Sequence, residues 1–365
     1  MKTYPSLTTR AKRFMAIPLT AAVLLGGTAA LPALSGTSYA AVQYQPAIQL
    51  QTLQVSINGK TVAVPGGISE SQTYVQLTFL SKQLGLTAAW DQKTKVISVA
   101  GKGKKLSMKL DDNGFYVYDV NGHKLSLGSQ QPIIVKGTTY LPLRFLLEQM
   151  DYKIGYNNTA KLVTIEPAKV NALTLQNETY NISKPNVEVD IQYPQIEGLA
   201  NADVQAKVNA LLQAEAASFK KDAEAFVKQA EEEQADVPPY SYEINYTVTK
   251  NDNNLLSVRF EYYAYTGGAH GMPDYIGHTY DLTTGKELTL QEAAQNNPSY
   301  VSIINAEVSK QFAKYEPLFE PFTTIPADQR FYLRGESLVV YFTVYEYTPY
   351  AAGIPEFAIP LSKFK

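Results

Sequence analysis

Residues 74–99 are echoed by residues 140–165 at a constant offset of 66. Tyr74, Val75, Leu77, Phe79, Leu80 and Leu84 are answered by Tyr140, Leu141, Leu143, Phe145, Leu146 and Met150. Further on, Trp90, Val96, Ile97 and Val99 are answered by Tyr156, Leu162, Val163 and Ile165. A packing unit written twice builds a scaffold more often than an active site. Upstream, the Asn58-Gly59 turn returns as Asn121-Gly122 at an offset of 63, a three-residue change that a loop absorbs readily.

Each copy reads as hairpin, helix, hairpin. In the first, Leu53–Ile57 and Thr61–Val64 flank Asn58-Gly59, a dipeptide that tolerates the positive φ angles of a tight turn. Leu77, Leu80 and Leu84 then follow helical spacing up to Gly85, and short strands at 87–90 and 95–99 enclose a polar turn. Asp151 stands where the first copy has Gly85, a departure confined to that helix end. The cluster Lys102, Lys104, Lys105 and Lys109 reads most simply as a solvated, flexible loop, and alternatively as a contact for anionic wall polymer.

The N-terminus carries Lys2, Arg10, Lys12 and Arg13 with no acid before residue 40, then an apolar run over 16–30 and small residues ending Ser38-Tyr39-Ala40. This is the pattern of an export signal over residues 1–40, and no later stretch is apolar enough to span a bilayer. With no cysteine, the chain has no disulfide and no thiolate metal site. Charge divides it sharply. Residues 41–170 hold 14 basic and 8 acidic side chains, a net of +6, whereas residues 171–365 hold 14 and 26, a net of −12. The first part suits an anionic matrix and the second a cationic partner, although acidity also serves solubility alone.

The spacing predicts four regions: a signal over 1–40, the repeated domain over 50–167, a polar linker over 168–185 and an acidic domain over 186–365. In the acidic domain, Val187, Val189 and Ile191 alternate as in a strand, and Asn201 caps a helix striped by Val204, Val208, Leu211, Phe219, Ala223, Phe226 and Ala230. Strands are expected at 242–249, 255–265, 274–282 and 338–347, and a second helix from Pro298 through Val301, Ile304, Val308 and Phe312. The predicted class is α+β: a small duplicated hairpin and helix stalk, then an antiparallel sheet covered by two helices.

Catalytic constellations are sparse. The best is His270, Asp274, His278 and Asp281, but a zinc hydrolase needs about three ligands converging on one point. On a strand of period 2, His278 and Asp281 point to opposite faces. Glu346 and Glu356 are a scattered carboxylate pair whose separation residue counting does not establish. His123 lies beside a hairpin turn and reads as a solvated surface histidine. What stands out instead is tyrosine, 17 of the chain's 26 lying beyond residue 170. On a 338–347 strand, Leu338, Val340, Phe342 and Val344 share one face, leaving Tyr341, Tyr345 and Tyr347 on the other. With Tyr263, Tyr265, Tyr350, Glu346 and Glu356 they form the predicted partner-binding surface, tyrosine being enriched at interfaces.

Two resemblances sharpen this. Ile57-Asn58-Gly59-Lys60, Tyr140-Leu141-Pro142-Leu143-Arg144-Phe145, Tyr156-Asn157 and Lys161-Leu162-Val163-Thr164-Ile165 resemble the copper amine oxidase N-terminal stalk domain, common on secreted and surface proteins of Gram-positive bacteria. Copper chemistry would require three histidine ligands and a modified tyrosine, and only His123 lies in this region, so the resemblance implies a non-catalytic spacer. Tyr265-Thr266-Gly267-Gly268-Ala269-His270-Gly271, then Tyr280-Asp281-Leu282-Thr283-Thr284-Gly285-Lys286-Glu287-Leu288, then Pro349-Tyr350-Ala351-Ala352-Gly353-Ile354-Pro355-Glu356-Phe357 resemble the paired RsiV/PdaC-type domains. Those domains precede the catalytic part of some peptidoglycan deacetylases and form the extracellular part of an anti-sigma factor that binds lysozyme. The sequence ends at Lys365 without the metal motifs of the deacetylase part. The combined expectation is a secreted or wall-associated, non-enzymatic protein without a cofactor or nucleic-acid partner. Its acidic domain would meet lysozyme or another cationic wall hydrolase. The alternatives are a glycan-binding module and a metal-dependent envelope hydrolase.

Overall fold

A computed structural model of the chain describes residues 47–70, 72–110, 116–126, 131–232, 239–315 and 317–365. The export signal expected over 1–40 lies outside these residues. The first copy runs as strands β1 (Gln49–Ile57), β2 (Lys60–Ser69) and β3 (Gln72–Gln76), helix α1 (Leu77–Leu84), then β4 (Thr87–Asp91) and β5 (Val96–Gly101). After β6 (Lys104–Leu110), β7 (Tyr116–Val120) and β8 (His123–Ser126) comes the second copy: β9 (Ile133–Val135), β10 (Thr138–Pro142), α2 (Leu143–Gln149), β11 (Tyr152–Asn157) and β12 (Leu162–Pro167). The two Asn-Gly turns join β1 to β2 and β7 to β8, with φ of 50° and 83° in the first and 53° and 88° in the second. Both residues of each pair thus take the left-handed backbone that a two-residue hairpin requires.

The repeat is a spatial symmetry. Strands β3 and β10 pair antiparallel with Val75 opposite Leu141, its own counterpart at the offset of 66. A pseudo-twofold axis therefore passes through that pair. Asp151 keeps the turn made by Gly85 in the first copy, at φ 56° against 66°, since a short carboxylate side chain tolerates this region better than most. The symmetry breaks beyond the helices. Strand β5 takes β6 as an antiparallel neighbour, whereas β12 takes β1 in parallel, so the first strand of the unit completes its last hairpin. The result is a seven-stranded sheet in the order β11-β12-β1-β2-β3-β10-β9 and a five-stranded meander β4 to β8 around one core. Part of the lysine cluster is tied down: Lys104 Nζ meets the Asp151 carboxylate at 2.6 Å, and Lys102 donates to the Asp151 carbonyl while lying 3.5 Å over the Tyr152 ring. Those two lysines are not free in solvent as expected.

The acidic part opens earlier than its sequence suggests. Most of the predicted linker is strand β13 (Thr174–Lys184), paired along its whole length with β14 (Val187–Glu197). In sequence this segment reads as a linker because most of its side chains face solvent, as on an edge strand. Helix α3 (Ala202–Glu232) follows, with Asn201 Oδ1 accepting from the Asp203 and Val204 amides as an N-cap. Its buried stripe includes Leu212 rather than the expected Leu211, which is exposed. Strands β15 (Tyr240–Asp252), β16 (Leu255–Tyr265), β17 (Met272–Asp281) and β18 (Lys286–Glu287) complete a six-stranded sheet in sequence order. It is antiparallel except at β14 and β15, which the α3 crossover makes parallel.

The two helices of the acidic part cover different sheets. Helix α3 packs on the six-stranded sheet. After the short α4 (Leu290–Ala293), α5 (Tyr300–Phe312) packs on a separate three-stranded sheet of β19 (Phe331–Arg334), β20 (Ser337–Tyr341) and β21 (Glu356–Pro360). The other face of this small sheet lies against β17, and closely. A Cβ on Gly277 would sit 2.2 Å from the Phe331 carbonyl oxygen. The stalk is docked too. His123, expected in solvent, is 8% exposed and stacks on Tyr246 at 3.7 Å, because the edge of β8 abuts the sheet of the acidic part. The Gln192 side chain accepts from the Lys124 N–H at 3.0 Å and donates to the Lys124 carbonyl, as a neighbouring strand would.

Candidate partner-binding site

The loop joining β16 to β17 carries Gly267 and Gly268 at φ of 90° and 91°, a conformation that suits residues lacking Cβ. Tyr265 Oη donates to the Gly268 carbonyl and fixes the turn. Gly271 is required for a second reason: a Cβ there would fall 2.4 Å from the Tyr263 ring. Its amide donates to Tyr263 Oη, and its carbonyl accepts from Tyr350 Oη at 2.9 Å and contacts His270 Nδ1 at 3.0 Å. A carbonyl only accepts, so Nδ1 is the donor in that contact, and Nε2 lies 3.4 Å from Tyr345 Oη. The His270 ring lies flat on Tyr350 at 3.7 Å, and Tyr345 and Tyr350 stand 5.9 Å apart.

Tyr345 is the outlier of this group. It has φ 67°, a region that bulky side chains rarely adopt, and it is 38% exposed. The turn holding it is closed by the Glu346 carboxylate, which accepts from the Thr343 amide and hydroxyl, and by the Tyr345 amide on Thr348 O. Strain of this kind persists where surrounding structure imposes it, and it concentrates at functional loops. Phe319, 60% exposed, is bound to the same loop through its amide on the Tyr347 carbonyl. Burial raises the Tyr347 phenol, and the nearby Glu346 and Glu320 carboxylates add to the shift. Glu346, exposed next to Tyr345, places a carboxylate at the edge of this aromatic patch.

Of the predicted partner-binding residues, Tyr263, Tyr265, Tyr345, Tyr350 and Glu346 gather here. The other three do not. Tyr341 is fully buried, donating to the Tyr275 carbonyl and accepting from the Gly277 amide. The expected 338–347 strand ends at Tyr341 and is covered on both faces, by α5 on one side and β17 on the other, so its alternation has no outer side. Tyr347 is half-buried against Phe312, Phe322 and Phe342. Glu356 sits inside an ion cluster, accepting from Arg259 at 2.9 Å, Arg334 at 3.1 Å and Tyr332 Oη at 2.7 Å. Burial would raise its pKa, but the two guanidiniums and the phenol hold it below the usual carboxylate range.

The four candidate metal ligands are committed separately. Asp274 pairs with Arg330 at 2.8 Å, and Asp281 caps the turn at 281–284 through Thr283 and Thr284. His278 is buried between Glu287, 2.8 Å from Nδ1, and Glu215, 3.7 Å from Nε2. Burial alone would lower its pKa, yet the two carboxylates push it up to about 10. His270 belongs to the aromatic patch. Among the described residues no group of three or more histidine, aspartate or glutamate side chains is placed to hold a metal. One participant escaped the sequence reading: the stack of His270 on Tyr350, formed across 80 residues.

Comparison with known proteins follows the same order along the chain. The family model for the copper amine oxidase N-terminal domain matches residues 56–165 and 119–199, that for deacetylase PdaC residues 181–273, and that for a protein of unknown function, DUF3298, residues 291–362. The anti-sigma-V factor RsiV of Bacillus subtilis is 26% identical over 191 residues, 48% of this chain and 64% of that protein, so under two thirds of its length is matched. Two solved DUF3298 family proteins each match 53% of this chain and 92% of their own. The Bacteroides fragilis structure is 22% identical with a TM-score of 0.39, and the Pseudomonas aeruginosa structure 20% identical with 0.36. The chain is thus similar in turn to a copper amine oxidase N-terminal domain, a PdaC-type segment and a DUF3298 segment.

Proposed function

We propose that this chain is an extracytoplasmic, non-enzymatic binding protein whose basic stalk presents the acidic part to a cationic protein, of which lysozyme is the first candidate. The observation that carries this is the strained, outward Tyr345 set beside the stacked pair of His270 and Tyr350, on a region of net charge −12. Rigid aromatic anchors supply most of the energy at protein interfaces, and surrounding opposite charge speeds encounter and selects the partner. The similarity to the RsiV/PdaC-type domains supports the same class of role and an extracytoplasmic site of action. The metal-hydrolase alternative draws nothing from His270 and His278, which serve different neighbours. No helix among the described residues is long and apolar enough to cross a membrane.

Calorimetric titration with lysozyme across a salt series tests the proposal. Binding at low ionic strength that weakens steadily with salt is expected. Absence of binding at the lowest ionic strength would remove lysozyme as the partner.

A further inference from the structure

A second surface of the acidic part has a different chemistry. Between β13, β14 and the first half of α3 lies an open groove of about 380 Å³. It is lined chiefly by Glu178, Tyr193, Gln195, Glu197, Asn209 and Gln213. None of these belongs to the loops that form the aromatic patch.

The lining is ordered before any ligand arrives. Asn209 accepts from the Ile196 amide at 2.8 Å and donates to its carbonyl at 2.9 Å, tying α3 to β14. Gln195 donates to the Pro194 carbonyl and accepts from Gln213 Nε2 at 3.1 Å. Gln213 Oε1 and the Glu178 carboxylate keep accepting capacity toward the groove, with no protein partner among the described residues. Beside them the Tyr193 ring is held by Lys220, which donates to its hydroxyl at 3.3 Å and lies 4.9 Å from its centroid. Glu178 stands directly across the strand pair from Tyr193, so carboxylate and ring share one stretch of surface.

We infer that this groove binds a neutral, N-acetylated oligosaccharide. Fixed planar amides and carboxylates meet the many hydroxyls and the acetamide of such a sugar, and an aromatic ring covers its C–H face. Two carboxylates in the lining outnumber the one neighbouring cation, Lys220, and oppose an anionic ligand. The inference is independent of the proposed protein partner, because it uses other residues and another face.

Titration of the full chain with tetra-N-acetylchitotetraose, followed by NMR of the side-chain amides, tests it. Saturable shifts centred on Gln195, Asn209 and Gln213 are expected. Gln213→Ala, at an exposed helix position, and Tyr193→Ala should each weaken binding about fivefold, the loss of one hydrogen bond or one stacking contact. A tetrasaccharide containing muramic acid should bind more weakly. No saturation at millimolar sugar, saturation indifferent to both substitutions, or equal affinity for the anionic sugar would overturn the assignment.

Discussion

Two clusters of tyrosine and charge behave oppositely, one on strands between two sheets and the other on the loops that connect those strands. In the inner one, Arg259 sits 4.2 Å from the Tyr275 ring and is paired with Glu261 and Glu356, between the six-stranded and three-stranded sheets. In the outer one, His270 stacks on Tyr350 while Tyr345 reaches His270 through its hydroxyl and tilts against Tyr350, with no ion pair among them. The same residue types therefore make a sealed joint where a second sheet covers them and a presented surface where none does. Exposure is decided by the covering layer, which alternation along one strand does not report.

The strongest way to break the inner joint is Glu356→Ala, which leaves the buried Arg259 with Glu261 alone and takes the carboxylate from the partly buried Arg334. A loss of about 3–5 kcal/mol in urea unfolding is expected. A change under 1 kcal/mol would mean that solvent reaches the cluster. Next comes Gly277→Ala, which drives a Cβ into the Phe331 carbonyl and should cost about 1–3 kcal/mol by forcing the sheets apart. An unchanged unfolding midpoint would show that the layers yield easily.

Protonation sharpens the same contrast between compensated and uncompensated burial. His278, held at about 10 by its two carboxylates, binds more protons folded than unfolded, where an imidazole titrates near 6.5. Its stabilisation is complete below about pH 6.5 and is lost as pH rises toward 10. His123, stacked on Tyr246 without a charged partner, is pushed by burial down to about 3. Its contribution is complete above about pH 6.5 and is lost as pH falls toward 3. Stability measured against pH should therefore fall on both sides. His278→Gln should flatten the alkaline limb and His123→Phe the acid limb, and an acid limb identical in His123→Phe would assign that loss to other groups.

The repeat made the hairpin and helix units of the stalk legible, but not β6 (Lys104–Leu110), which falls where the lysine cluster reads as a loop. Strands β3 and β10, helices α1 and α2, and strands β5 and β12 fall at the expected offset because each copy buries the same side chains. The parallel pairing of β1 with β12 was not legible, since nothing local records which copy a strand will complete. In the acidic part, the long helix and the central strands carried apolar periodicity and were found. Strand β13 was missed because its side chains are mostly exposed, and Tyr341 and Glu356 were misplaced because the layer that buries them is formed by distant chain. At the candidate site the Gly-rich turn was visible as a motif. Its stacking partner lay beyond sequence reasoning.

The smallest change in stability belongs to the outer cluster, and it carries the most weight. Tyr345→Gly removes the ring and relieves a left-handed backbone that glycine adopts freely. Unfolding should be unchanged or up to about 1 kcal/mol more favourable to the folded state. Lysozyme titrations of the parent and Tyr345→Gly chains, run beside their urea curves, test the account most directly. We predict at least about a tenfold loss of affinity with no loss of stability, as for an interface anchor. Undiminished affinity in the variant would contradict it.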